Sequence, residues 1–195
     1  MAKKNQLTKS DALDIEDFRK LVNGLHADKK YVWELYARIS FCTALRSSDV
    51  LSLRWSDIIG KDSIIKTEKK TGKTRRIPIN EKIKKEIVSI YKEMDKPDKE
   101  SFIFVNREGD KAMSIQYINR TMKDWIDKYD IKITNFSTHT FRKTFGRYVY
   151  DSSENKSEAL VLLNTILNHS SIEITKVYIG LRDEEVNSVF SSLDI

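Results

Sequence analysis

The stretch "ILNHSSIEITKVYIG", Ile166 to Gly180, holds one of only three histidines in the chain, His169, and nine residues later Tyr178. Apolar residues lie on both sides of a polar corner at Asn168–Ser171. Taken alone, this is the pattern of a packed helix-turn-helix. Tyrosines are common where helices pack, and a histidine near a helix C-terminus interacts favourably with the dipole. Whether His169 and Tyr178 also do chemistry depends on what the other segments bring to them.

The chain has 195 residues, enough for one well-buried domain and marginal for two. It is 39% hydrophobic and 33% charged, polar for a globular protein but far from a disordered composition. The formal charge of +6 is unevenly spread. "KTEKKTGKTRR", Lys66 to Arg76, carries six basic side chains and one acid, Glu68, whereas the C-terminal tail is net acidic. A localised basic strip suits a polyanion, most often nucleic acid, although a solvated lysine-rich hairpin has the same composition. Cys42 is the only cysteine, so no internal disulfide can form, and its place in "ISFCTAL" suits a small core residue in a reducing compartment. The histidines and the cysteine match no metal-ligand spacing. No apolar run reaches the roughly 18 residues of a membrane span, and the N-terminus lacks the apolar stretch of a signal peptide. The expectation is a soluble, cytoplasmic protein with no membrane contact.

Two prolines and six glycines favour helices. Ile15, Phe18, Leu21, Val22 and Leu25 recur at helical spacing behind Asp14, a good cap, with Asp17 three residues on resembling a capping arrangement. "KKYVWELYARISFCTAL" predicts a second, largely buried helix, and "SSDVLSL" a short one capped by Ser47 or Ser48. "DSIIKTE" and "TRRIPI" are β-prone runs around "KKTGK", whose Gly72 suits a tight turn. They predict an antiparallel hairpin, with "DIIG" as a third strand and "SFIFVN" as a further extended run. Helices are expected again at 81–94, 114–129, 140–150, 157–167 and about 183–190. The fold class is mainly α with a small antiparallel β-sheet. Residues 1–12 read as a basic N-terminal segment expected to lack order, and residues 13–195 as one domain.

Four pieces carry candidate chemistry. Arg46 opens a short helix in "TALRSSDVLSLRW", and Asp49 three residues on is placed to hold its guanidinium. Lys70 lies in the hairpin turn, where a lysine can donate a proton or contact phosphate. His139 and Arg142 in "STHTFRKTF" share a helix face next to a start that favours an anion. His169 and Tyr178 form the fourth. Each piece alone has a plain structural explanation: an Arg–Asp pair, a solvated turn lysine, a capped helix, a packed tyrosine.

In order, however, Arg46, Lys70, His139-x-x-Arg142, His169 and Tyr178 resemble the catalytic set of the tyrosine recombinase (phage integrase) family. "TALRSSDVLSLRWSDI" looks like its first arginine box, "KKTGKTRRIPI" like its hairpin lysine segment, "HTFRKTF" like its His-x-x-Arg box and "ILNHSSIEITKVYIG" like its closing box. The resemblance covers residues 13 to 190. The chain departs from the pattern at Ala44 and Asn168, where the family usually has glycine; asparagine tolerates a left-handed backbone. It also leaves no room for the separate N-terminal core-binding domain of many members. That implies either a catalytic-domain fragment or a short member acting as a compact DNA invertase.

The resemblance implies a tyrosine recombinase catalytic-domain fold and a site-specific recombinase that cleaves and rejoins double-stranded DNA through a 3′-phosphotyrosine on Tyr178. Neither ATP nor a metal nor another cofactor is implied. Arg46 and Arg142 would bind the non-bridging phosphate oxygens, where one preorganised donor is commonly worth about 10²–10³ in rate. His139 would serve as general base, with nearby cations favouring the phenolate. Lys70 would protonate the leaving 5′ oxygen, and His169 would hydrogen-bond the scissile phosphate. Lys66, Lys69, Lys73, Arg75, Arg76 and Lys143 are the expected DNA contacts. The family implies a tetramer on paired sites, formed from protomers monomeric in isolation. A C-terminal helix at about 183–191 would dock on a neighbour through Val186, Val189 and Phe190. A type IB topoisomerase-like enzyme and a non-catalytic DNA-binding regulator are the alternatives.

Overall fold

The computed structural model describes residues 10–193. Helices α1 (Ile15–Ala27), α2 (Tyr31–Thr43) and α3 (Ser47–Val50) come first. The strands β1 (Ser63–Thr67) and β2 (Thr74–Pro78) follow, then α4 (Glu81–Glu93), α5 (Ile115–Lys128), α6 (Thr140–Ser152), α7 (Lys156–Leu167), α8 (Ile172–Ile179) and α9 (Leu181–Ser191).

Most helix starts follow from a polar cap ahead of an apolar stripe. Asp14, Asn80, Ser114, Asn155 and Ser171 each accept a backbone N–H of the first turn of α1, α4, α5, α7 and α8. Asp14 reaches Glu16 N and no reciprocal bond from Asp17 forms, so the cap is one-sided. The start of α3 differs from the expectation: Arg46 is its N-cap residue, with no side-chain cap from Ser47 or Ser48. Ser47 Oγ instead donates to Thr138 O (3.2 Å), tying α3 to the entry of α6.

The sheet has two strands among the described residues, not three. "DIIG" carries the end of a 3-10 helix at Trp55–Asp57 and the turn that follows it, and Gly60 there has a positive φ. "SFIFVN" contributes isolated bridges, Arg54↔Phe102 and Val105↔Ala112. In the hairpin, Ile64 pairs with Ile77 and Lys66 with Arg75. Alternation sends Ile64 and Ile77 into the core, while Ile65, Thr67, Thr74 and Arg76 face out.

The core has two parts. A large cluster joins α1, α2, the hairpin, α4, α5 and the start of α6 around Trp55, Tyr36, Phe104 and Phe141, all fully buried. A smaller one joins Ala44, Leu160, Leu163, Leu167, Ile179 and Leu181, and Tyr178 packs against it. Helix α8 approaches α6 closely because residue 146 is glycine: a Cβ there would lie 2.6 Å from Ile179 Cγ2. Ser10 to Ala12 are held in place, with Asp11 bonded to Asn135 in both directions and Ser10 O bound by Lys143. The remainder of the N-terminal segment, residues 1–9, lies outside the described residues.

Candidate active site

Arg142, on the first turn of α6, is 3% exposed. Its two terminal nitrogens donate to Ala44 O and Leu167 O, both at 2.6 Å. Those carbonyls belong to two left-handed helix ends. Ala44 has φ 49 and Asn168, just after Leu167, has φ 51. The positions where the sequence departs from glycine are therefore turns that glycine adopts without strain. The left-handed turn expected at Asn168 is present. A non-glycine residue in such a conformation stores about 1–2 kcal/mol.

Tyr178, on α8, lies beside this arginine, whose guanidinium carbon is 5.9 Å from the ring centroid. The His169 ring is 5.0 Å and the His139 ring 6.5 Å from it, centroid to centroid, both edge-on. His169 Nδ1 is 3.1 Å from Thr175 Oγ1, a fully buried hydroxyl that also accepts from Asn164 Nδ2 (3.2 Å). This orients the ring. His139 is the N-cap residue of α6, and Arg142 follows three residues on, so the two side chains arrive on the same side. The third histidine, His26, instead meets Glu34 through Nδ1 at 3.0 Å.

The electrostatics differ from the sequence expectation at the tyrosine. Its hydroxyl is buried with no hydrogen-bond partner among the described residues. Burial pushes its pKa up to about 12, and the opposing charge and close approach of the Arg142 guanidinium, together with the charge of Arg46, do not cancel that effect. The nearby cations therefore do not by themselves yield a phenolate. Both histidines move the other way. Burial, then Arg142, Arg46 and Lys70, bring His169 down to about 4, and His139 is lowered by burial and by Arg142, Lys143, Arg46 and Lys70. At neutral pH both are uncharged, and His139 can accept a proton.

The first arginine is held by a residue the sequence reading passed over. Arg46 donates to Glu68 Oε2 at 2.5 Å, not to Asp49. Asp49 is fully buried and accepts the Lys69 backbone N–H at 2.9 Å, so it anchors the hairpin instead. Glu68, also fully buried, receives Arg75 at 2.9 Å, Thr71 at 2.9 Å and Asn168 at 3.1 Å as well. Burial alone would raise its pKa. The hydrogen bonds from Arg75, Asn168 and Thr71 and the charge of Arg46 outweigh it and hold the carboxyl at about 2. The signal was present in the sequence: one acid among six cations. Lys70 sits at the exposed turn and makes no hydrogen bond or ion pair among the described residues.

The expected DNA contacts divide. Lys69, Lys73 and Arg76 are exposed, Arg76 with Nε on Ser63 Oγ (3.1 Å). Lys66 is half-buried and donates to Ser52 O (3.1 Å). Two corrections follow. Arg75 turns inward to Glu68, with its side chain 17% exposed, because strand alternation puts it beside Lys66 on the inner face. Lys143 is buried, with Nζ on Ser10 O and 5.3 Å from the Tyr178 ring centroid, so it lines the tyrosine instead of the surface.

A cavity of about 670 Å³ opens beside Tyr178, Ile179 and Gly180, walled by Ser10–Ile15 and by Thr144, Tyr148 and Asp151 of α6. No group of three His, Cys, Asp or Glu side chains that could hold a metal ion occurs among the described residues, and none of their helices is long and apolar enough to cross a membrane.

Two buried carbonyls grip one arginine, a carboxylate grips another, and two neutral imidazoles flank a tyrosine. The sequence around this arrangement matches the model of the phage integrase family over residues 11–185, and the chain belongs to that family. Its relatives include "Probable integrase/recombinase YoeC" of Bacillus subtilis (strain 168), 34% identical over 76% of this chain and 77% of that protein. Tyrosine recombinase XerA of Pyrococcus furiosus is 24% identical over 86% of this chain and 56% of its own length. Among solved structures, the XerH site-specific recombinase in a post-cleavage complex with palindromic difH substrate superposes with a TM-score of 0.68. The match has 22% identity and covers 96% of this chain and 55% of that one. A lambda integrase dimer bound to a COC′ core site gives 0.66 at 18% identity, covering 93% and 51%. The chain thus spans about half the length of the Xer and lambda proteins it matches.

Proposed function

We propose that the chain is the catalytic domain of a site-specific recombinase that cuts and rejoins double-stranded DNA through a 3′-phosphotyrosine on Tyr178. The observation that carries this reading is the meeting of Arg142 and His139, from the start of α6, with His169 at the ring of Tyr178, two segments brought to one place. In the cleavage step, His139 takes the phenolic proton. The tyrosine oxygen forms a bond to phosphorus, the bond from phosphorus to the 5′ oxygen breaks, and its electron pair stays on that oxygen. Lys70 supplies the proton that completes the 5′ hydroxyl. Arg46 and Arg142 offer guanidinium donors to the non-bridging oxygens, and His169 adds a further hydrogen bond. Bond energy is kept in the phosphotyrosine, so a 5′ hydroxyl from another strand reverses the step without ATP. Exposed Lys69, Lys73 and Arg76 are the phosphate contacts beside the site.

Strand exchange needs paired sites, hence four protomers on two duplexes. Exposed apolar side chains on α9 support docking on a neighbour: Val189 is 59% and Phe190 69% exposed, while the side chain of Val186 lies outside the described residues. The reading places the protein in the cytoplasm, with its DNA.

The test is covalent capture. Wild-type protein is incubated with a library of nicked suicide duplexes randomised across the break, and DNA that survives denaturing wash is sequenced. Wild type yields a covalent band and an enriched site. Tyr178→Phe yields neither. A band that persists in Tyr178→Phe overturns the assignment of the nucleophile, and relaxation of any supercoiled plasmid without paired sites favours a topoisomerase.

A further inference from the structure

Residue 168 joins α7 to the corner that carries His169, and its backbone is left-handed. Glycine would make that turn with less strain. Asparagine makes it too, and every polar atom of its amide is engaged. Nδ2 donates to Glu68 Oε2 (3.1 Å) and Thr71 Oγ1 (3.2 Å), and Oδ1 accepts from Lys73 Nζ (3.2 Å). All three partners belong to the loop between β1 and β2, and they bracket Lys70. The loop is otherwise fixed through its base: Lys69 N on Asp49, Gly72 N on Glu68 O, and Arg46 and Arg75 on the Glu68 carboxylate. Lys70 itself makes no hydrogen bond or ion pair among the described residues, so the position of its ammonium is inherited from the loop.

We propose that Asn168 is a positioning residue, an amide strap that ties the Lys70 loop to the corner bearing His169 and so sets where the ammonium meets the leaving 5′ oxygen. This rests on the reading of Lys70 as the general acid. The strap links two segments about a hundred residues apart that must act on one phosphodiester. Glycine at this position would supply the turn without the strap, and the loop would be held only through its base, at Asp49 and Glu68.

Asn168→Gly tests this without straining the fold, since glycine suits the left-handed turn. The substrate is the nicked duplex recovered by capture, made with either the normal 5′ bridging oxygen or a bridging sulfur. A thiolate leaves without a proton, so the sulfur duplex bypasses a general acid. On the oxygen duplex, Asn168→Gly should cleave about 10- to 100-fold more slowly than wild type, the scale of a misplaced catalytic group. On the sulfur duplex it should cleave at close to the wild-type rate. In a Lys70→Ala background, Asn168→Gly should slow cleavage no further. Wild-type cleavage by Asn168→Gly, equal defects on both duplexes, or effects of the two substitutions that multiply would each overturn the strap. If Lys70→Ala is not restored by sulfur, the general-acid assignment fails instead, and the double-mutant comparison still decides whether Asn168 acts through Lys70. A DNA-free measurement stands beside these: amide exchange at Lys69 and Gly72 should quicken by about tenfold in Asn168→Gly. Unchanged exchange would sink the proposal.

Discussion

At the hairpin end of the site, the buried Glu68 carboxylate takes hydrogen bonds from Arg46, Thr71, Arg75 and Asn168. At the opposite end, the Tyr178 hydroxyl is also buried, with Arg142 close by but no well-formed hydrogen bond among the described residues. One end is stabilised by its polar contacts. The other is held by packing, with Tyr178 resting on the smaller core cluster and α8 pressed against Gly146. The difference suits the proposed chemistry. Groups that must hold a phosphate charge gain from being fixed beforehand, whereas a nucleophile bound tightly to a partner would have to lose that partner before attacking.

The comparison is most severely tested by Glu68→Ala. It leaves two half-buried guanidinium groups without their counter-charge, so urea unfolding should show a loss of about 3 kcal/mol, the scale for breaking a buried ion pair. A loss under about 1 kcal/mol would mean that solvent already screens this network. At the tyrosine end, Gly146→Ala should destabilise by about 1–3 kcal/mol through overpacking, because the new methyl group must displace Ile179. It should also slow covalent capture, since Ile179 adjoins the nucleophile; unchanged stability and capture would show that α8 shifts freely. The smallest effect is expected from Tyr178→Phe, which removes a buried hydroxyl that has no partner. Stability should rise by up to about 1 kcal/mol, or stay level, even as capture is lost.

The same variant has a pH signature. A pKa raised to about 12 means the folded state keeps a proton that the unfolded chain releases near 10. Stability from this group is therefore complete below pH 10 and is lost as pH rises toward 12. Tyr178→Phe should lose less stability across that window than wild type. A share remains from Tyr36, which burial also pushes up to about 12. Parallel pH curves for the two proteins would show that the hydroxyl is hydrated in solution.

Much of this architecture is legible in the sequence. The Asp14 cap ahead of an apolar stripe located α1, helices were expected where α4, α5 and α7 lie, and the β-prone runs around Gly72 located the hairpin, because capping and side-chain periodicity are local physics. The third strand failed for a non-local reason. "DIIG" has strand-like residues, but the chain there closes a 3-10 turn around the buried Trp55 and pairs with nothing. The order of Arg46, Lys70, His139, Arg142, His169 and Tyr178 was likewise readable, as was a left-handed turn at Asn168.

By itself, then, the sequence determined the candidate groups, their order and the family to which the chain belongs. Tertiary structure alone decided the partners. Arg46 meets Glu68, 22 residues away, in preference to its helix neighbour Asp49. Arg142 reaches two carbonyls at helix ends far apart in the chain, Lys143 turns inward, and Asn168 spans to a loop 100 residues earlier. A charged side chain removed from water takes whichever complementary group packing brings within reach. Sequence spacing ranks only the nearest of those candidates, and burial chooses among all of them.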